Sequence, residues 1–289
     1  YSTVSQLGYM FMGLGVLTSL GAAYHVFTHA FFKAVLFLTC GAIMHGFAGQ
    51  LDLRKLSGLR HMQGWKIVSY TMLIGCLCLA GFPFTSGFFS KDTILAEAFV
   101  TPGYTLLGWI ALITAGMTAY YTFRVWFRVC AGPEHYEMGD EHHGDDDHGH
   151  GDDDHHHAPH APRMAINLVL VVIAAGAILA AIPWFQGDGH WVKGLLGESS
   201  AVGVDHGDGH AHGSFLGMDP HKVMYYVSGL IGFIGIGIAA WFHLINRGAA
   251  DALRDRLLGN PATAWLPKAM ENKWYVDEVY GLLVVTPLW

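Results

Sequence analysis

Gly81-Phe82-Pro83-Phe84-Thr85-Ser86-Gly87 interrupts an apolar stretch that otherwise runs from Ile67 to Val100. As one straight helix that stretch would reach about 50 Å, against a hydrocarbon core of about 30 Å. Pro83 removes a backbone donor, and the flanking glycines lower the cost of leaving the helix. The sequence therefore predicts two half-helices joined by a break. Unwound backbone at membrane depth is tolerated only where protein buries it or it lines a cavity. There it can offer carbonyls and amides to ions.

Apolar segments long enough to cross a bilayer lie on both sides: Val4 to Tyr24, His25 to Phe47, Tyr104 to Val129, Ile166 to Phe185 and Val223 to Ile245. Hydrophobic residues make up 52% of the 289 and charged ones only 13%, with a mean hydropathy of +0.34. A soluble domain carries about a quarter charged residues. The expected fold is an all-α polytopic membrane protein with about six transmembrane helices, one of them discontinuous. Lys and Arg gather in Leu51 to Lys66, in the flanks Arg124, Arg128 and Arg163, and in the tail from Arg247 to Lys273. The alternate connections, Ser19 to Tyr24 and Thr101 to Gly103, have none, so the positive loops are placed on the cytoplasmic side.

The formal net charge of −7 comes from one place. Eight carboxylates lie between Asp140 and Asp154, and no Lys or Arg occurs between Arg128 and Arg163. With no basic stripe elsewhere, nucleic acid is excluded as a partner. The Asp/His-rich run from Asp140 to His160 has two readings: a weak metal-binding tract for Zn, Ni or Cu, or a solvated disordered connection. Cys40, Cys76, Cys78 and Cys130 read as small hydrophobes, not as a disulfide or metal site. The chain opens on Tyr1 almost directly into a membrane segment and is expected to be a piece of a longer protein.

Two groups of polar residues have no business in lipid. In His25-Val26-Phe27-Thr28-His29-Ala30-Phe31-Phe32-Lys33, the histidines and the lysine are spaced i, i+4, i+8 and share one helix face. Charge at bilayer depth costs several kcal/mol, so such a face turns to the protein interior or to a water-filled path. A lysine within reach of two histidines can gain and lose protons. The alternative has the histidines capping a helix end and Lys33 snorkelling, but Ala34 to Cys40 lie beyond it. The second group, Ser90-Lys91-Asp92 followed by Glu97, comes just after the break. It reads either as a titratable gate to the outer aqueous phase or as an interfacial turn in headgroup water.

Tyr1-Ser2-Thr3-Val4-Ser5-Gln6-Leu7-Gly8-Tyr9-Met10, Thr28-His29-Ala30-Phe31-Phe32-Lys33-Ala34, and Gly81 through Asp92 resemble three successive motifs of the antiporter-like subunits of respiratory complex I. Those subunits are similar to Mrp-type cation/proton antiporters. Asn272-Lys273-Trp274-Tyr275-Val276-Asp277-Glu278-Val279-Tyr280 resembles the NuoL branch, subunit 5 of NADH dehydrogenase. The resemblance implies a proton-translocating subunit of NADH:quinone oxidoreductase, an H⁺-translocase, with His25, His29, Lys33, Lys91 and Asp92 as its proton relay. It implies no cofactor or metal in this chain, with NADH, FMN, iron-sulfur clusters and quinone belonging to partner subunits. The implied partners are the other complex I membrane subunits, the neighbouring antiporter-like subunit above all, and the lipid bilayer. The implied setting is the inner (plasma) membrane of a bacterium, in preference to the mitochondrial inner membrane.

On that footing residues 1–130 are half-channel helices around the broken helix 67–100, and 131–163 the Asp/His-rich cytoplasmic loop. Residues 164–246 hold two further transmembrane helices, and 247–289 a cytoplasmic-side tail leading to a lateral helix beyond Trp289. A first half-channel would precede Tyr1. An Mrp-type antiporter or a membrane-bound hydrogenase subunit is the alternative, against which the motif at Asn272 to Tyr280 weighs. A metal-handling membrane protein using the His tract would leave Lys33 and the broken helix without purpose.

Overall fold

The computed structural model describes residues 1–139, 159–185, 194 and 218–288. Most of the Asp/His-rich run and most of the loop from Gln186 to His221 lie outside the described residues. The chain forms two compact units, Tyr1–Ala240 and Trp241–Trp289.

The first unit contains α1 (Ser2–Gly15), α2 (Ser19–Gly46), α3 (Lys66–Ala80), α4 (Ser86–Val100), α5 (Thr105–Val129), α6 (Met164–Leu179), a single turn α7 (Ile182–Phe185) and α8 (Pro220–Ala240). Among the described residues, three stretches are long and apolar enough to cross a membrane: Ser19–Gly46, Thr105–Val129 and His221–Ile245. α3 and α6 are shorter apolar helices.

The break falls between Ala80 and Ser86, and its chemistry is visible residue by residue. Gly81 takes the left-handed conformation at φ 70°, which costs glycine little. Its N–H donates to the Cys78 carbonyl at 3.2 Å and that of Phe82 to Leu77 at 3.0 Å, a Schellman closure of α3. Thr85 then takes extended backbone and starts α4, with its hydroxyl on the Phe82 carbonyl at 2.7 Å.

The first boundary differs from the sequence reading. The turn lies at Val16–Thr18, not at Ser19 to Tyr24, so His25 sits in the second turn of α2 instead of opening it. Leu17 reverses the chain at φ 62°, a conformation that costs a non-glycine residue about 1–2 kcal/mol. Thr18 offsets this by capping α2, accepting from the Gly21 N–H at 3.2 Å. The apolar composition runs through the turn without a proline, which hid it.

Lipid tails are as apolar as leucine, so close packing of small residues must hold such helices together. At the α5–α8 contact a methyl added to Gly235 would come within 2.5 Å of the Gly116 carbonyl oxygen. One core cluster gathers Phe47, Leu59, Trp65, Met72, Trp126 and Phe127 where α2, α3 and α5 meet their loops. Beside it, Leu56–Ser57 (β1) pairs antiparallel with His135–Tyr136 (β2), Leu56 opposite Tyr136. The pairing, with the Gly139 N–H on the Phe47 carbonyl at 2.9 Å, ties the α2–α3 loop to the chain leaving α5.

The second unit opens with a π-helical turn, Trp241–Ile245, followed by α9 (Arg247–Leu258) and α10 (Trp265–Glu271). Arg254 joins α9 to Glu271 of α10 at 2.5 Å. Short helical turns continue from Lys273 to Leu288.

Candidate functional site

α2 turns its polar face inward. His25 is fully buried, and His29 and Lys33 are each 9% exposed, while Leu38 on the other side is exposed and Phe37, one turn beyond Lys33, has its ring 5.6 Å from the Lys33 ammonium. His25 bridges two helices: Nδ1 lies 2.9 Å from the Ser90 hydroxyl of α4, and Nε2 lies 3.2 Å from Oε1 of Gln6 on α1. Thr28 adds a second hydroxyl, 3.0 Å from that of Ser90. One turn on, His29 has its ring 6.1 Å from that of His25 and 5.3 Å from Phe32, and its Nε2 is buried without a hydrogen-bond partner. Lys33 ends the row. Its ammonium donates to the Ser2 hydroxyl at 2.8 Å, and Ser2 in turn lies 2.6 Å from the Tyr121 hydroxyl of α5.

The broken helix supplies the other half. Lys91, in the second turn of α4, reaches back across the break and donates to the Leu79 carbonyl at 2.5 Å. That carbonyl belongs to the last turn of α3, where the helix leaves acceptors without intrahelical partners and its dipole is negative. A cation is thereby held against the end of one half-helix by the start of the other. Lys91 is also 5.7 Å from the centre of the Tyr9 ring. Asp92 follows, 2% exposed, with Ser228 of α8 beside it. No bond of proper hydrogen-bond geometry joins them: Oδ2 of Asp92 and the Ser228 hydroxyl are both buried without partners.

The five residues singled out in the sequence thus lie on α2 and α4, which pack together in the first unit. Hydroxyls and one amide link His25 to α1 and α4, and Lys33 to α1 and α5. Sequence reasoning gave no role to Gln6, Ser2, Tyr121 or Ser228. Ser2, Gln6 and Tyr9 recur at spacings of four and three along an otherwise apolar α1, a signal that could have found them. Among the described residues no group of three or more His, Cys, Asp or Glu could hold a metal ion.

Residues 1–118 match the family described as NADH:quinone oxidoreductase/Mrp antiporter, TM. NAD(P)H-quinone oxidoreductase chain 5 of Picosynechococcus sp. is 32% identical over 300 residues, covering 99% of this chain and 42% of that protein. NADH-quinone oxidoreductase subunit L of Escherichia coli K12 is 32% identical over 281 residues, 97% of this chain and 39% of that protein. The solved Mrp complex from Dietzia sp. shares the fold, with a TM-score of 0.54 at 20% identity, covering 99% of this chain and 30% of that one. The chain spans about two fifths of the curated relatives it matches, 42% of the first two.

The buried lysines, the broken helix and these matches mark an antiporter-like membrane chain, similar over residues 1–118 to the family shared by NADH:quinone oxidoreductases and Mrp antiporters. Along nearly its whole length the chain is similar to the subunits called 5 or L of NAD(P)H- and NADH-quinone oxidoreductases.

Proposed function

We propose that this chain forms one proton half-channel of the proton-translocating membrane subunit of a complex I. The observation that carries the reading is the row Lys33, His29, His25, Ser90, Lys91 and Asp92, buried in a helical bundle that exposes many large apolar side chains. Buried ionisable groups at membrane depth are costly, and they mark ion pathways when they line up. Taking α1, α2, the α3–α4 pair, α5, α6 and α8 as crossings gives about six, and three stretches among the described residues have the full length and apolarity a bilayer needs.

Each group has a task that its surroundings suit. Lys33 is the central carrier, its charge shared with the Ser2 and Tyr121 hydroxyls. His29 and His25 pass a proton between nitrogens, with Ser90 as the hydroxyl bridge from α2 to α4. Where neighbours do not touch, a bridging water is the ordinary means of transfer. Lys91 holds a proton against the α3 terminus, and Asp92 is the acid that draws it outward. A change of charge near either lysine shifts whether it keeps its proton. Electron transfer, with NADH, FMN, iron-sulfur clusters and quinone, belongs to partner subunits. The neighbouring antiporter-like subunit supplies the charge change, and a bacterial plasma membrane is the setting.

The test uses the complete subunit assembled in its complex. Lys33→Ala and Lys91→Ala should each lower quinone-coupled proton pumping in vesicles by at least about tenfold, the minimum expected on losing a group in proton transfer. Normal pumping by an assembled Lys33→Ala complex would contradict the reading.

A further inference from the structure

α8 lies beyond the family match, and it carries a polar face that the relay leaves unused. His221, Tyr225 and Ser228 recur at spacings of four and three, which places them on one side of the helix. Asp219 fixes where that helix starts, accepting from the His221 N–H at 3.0 Å. The polar side packs against α4. Ser228 stands beside Asp92. Tyr225 sets its ring on Phe88 and Phe89, at 5.4 and 6.2 Å between centroids. His221 meets Glu97, its Nε2 3.4 Å from Oε1.

The two helices therefore run antiparallel and pair an acid with a polar group twice, at Asp92 and again about 9 Å along α4 from Lys91 at Glu97. Exposure rises along the same line. Asp92 is 2% exposed and Ser228 8%, whereas the Glu97 and His221 side chains are 19% and 28% exposed. Phe88, Phe89 and Tyr225 pack together beside this line, and its outer end holds the one carboxylate–imidazole pair among the described residues of the first unit that joins two long helices.

We propose that Glu97 and His221 are the outer port of the relay, the groups that take the proton from the Lys91–Asp92 pair and release it to water. This rests on the half-channel reading above. One proton moves. The Lys91 ammonium gives it up by way of Asp92, and the Glu97 carboxylate becomes a carboxylic acid. The acid passes it to Nε2 of His221, and the imidazolium releases it to water, which restores carboxylate and imidazole.

The rival reading makes the pair a tether that holds α8 on α4. Two variants separate them in the assembled complex. Glu97→Gln keeps the shape and a hydrogen-bond acceptor but cannot take up a proton. His221→Lys keeps a cation beside Glu97, and so keeps a tether, but holds its proton at neutral pH. The proposal expects each to lower proton pumping at least about tenfold with assembly intact, and Glu97→Asp to restore most of it. Pumping within about twofold of the parent in assembled Glu97→Gln would overturn it, since loss of a proton-transfer group costs far more. Failure of both variants to assemble would assign the pair to the tether and overturn it equally. Lys33→Ala in the same vesicles keeps the two readings apart. If that variant is inactive while Glu97→Gln pumps, only the outer port is lost; if it too pumps, the half-channel reading falls.

Discussion

Gly87→Ala should damage the break more than its single methyl suggests. Gly87 opens α4 directly against the last turn of α3, and a Cβ placed there would be driven into the Cys78 carbonyl, with the carbonyl carbon only 2.9 Å away. Ordinary carbon contact is about 3.5–4.0 Å, so the half-helices must separate by about 1 Å. Backbone cannot swing aside as a flexible side chain can. The Lys91–Leu79 hydrogen bond spans the same gap at 2.5 Å. Stretched by that amount it would reach about 3.5 Å, beyond the useful range of about 3.2 Å. Overpacking of this kind costs about 1–3 kcal/mol. Gly41→Ala is the control, because nothing lies within 4 Å of its Cβ position and alanine favours the helix. The assay is the thermal midpoint of the assembled complex, together with proton pumping in vesicles. Gly87→Ala should melt a few degrees lower and pump poorly, while Gly41→Ala should match the parent. Equal midpoints and equal pumping for the two variants would show that the close approach of α3 and α4 has no part in holding Lys91.

Ser90→Ala should remove the hydroxyl that His25 Nδ1 meets at 2.9 Å, and with it about 1 kcal/mol of hydrogen bonding; pumping should fall several-fold, and a normal rate would take Ser90 out of the row. Deleting residues 140–158 from the complete protein should leave pumping in metal-free buffer near normal, and a large loss would give the Asp/His run a coupling role. On the α2–α3 loop, hydrogen bonds from Arg54 hold the Asp52 carboxyl down at about 2. Its folded value lies below the ordinary value of about 3.9, so the stabilisation is complete above that range and disappears as pH falls through about 2. The small midpoint gap between parent and Asp52→Asn should therefore close on acidification from about pH 6 to about pH 2, and a constant gap would remove the pair from the loop's stability.

The break and the inward face were legible because each rests on local chemistry. Pro83 and Gly81 mark a helix end wherever they occur, and the spacing of His25, His29 and Lys33 fixes one face of any helix. The turn at Val16–Thr18 was not legible, since Leu17 makes the reversal where a glycine or proline would have marked it. The partners of the relay were hidden for a different reason. Gln6 meets His25, Tyr121 meets Ser2, and His221 meets Glu97 across helices far apart in the chain, and nothing in the local pattern specifies which helices become neighbours. Lys91 lay between these cases. Its place after the break suggested a gate or a turn in headgroup water, and its burial at 2% exposure with a hydrogen bond to α3 takes it out of headgroup water.

The central claim is that Lys33 carries protons by changing its charge, and Lys33→Arg addresses it most directly. Arginine stays protonated at any working pH, so the variant keeps a cation at membrane depth and loses the ability to release its proton. It also snorkels as well as lysine does, so a role in anchoring alone would survive the change. The measurement is quinone reduction and proton uptake in vesicles, with assembly checked on native gels. The account predicts that assembled Lys33→Arg loses pumping as fully as Lys33→Ala, by at least about tenfold. Near-normal pumping by an assembled Lys33→Arg complex would contradict it and remove Lys33 from the relay.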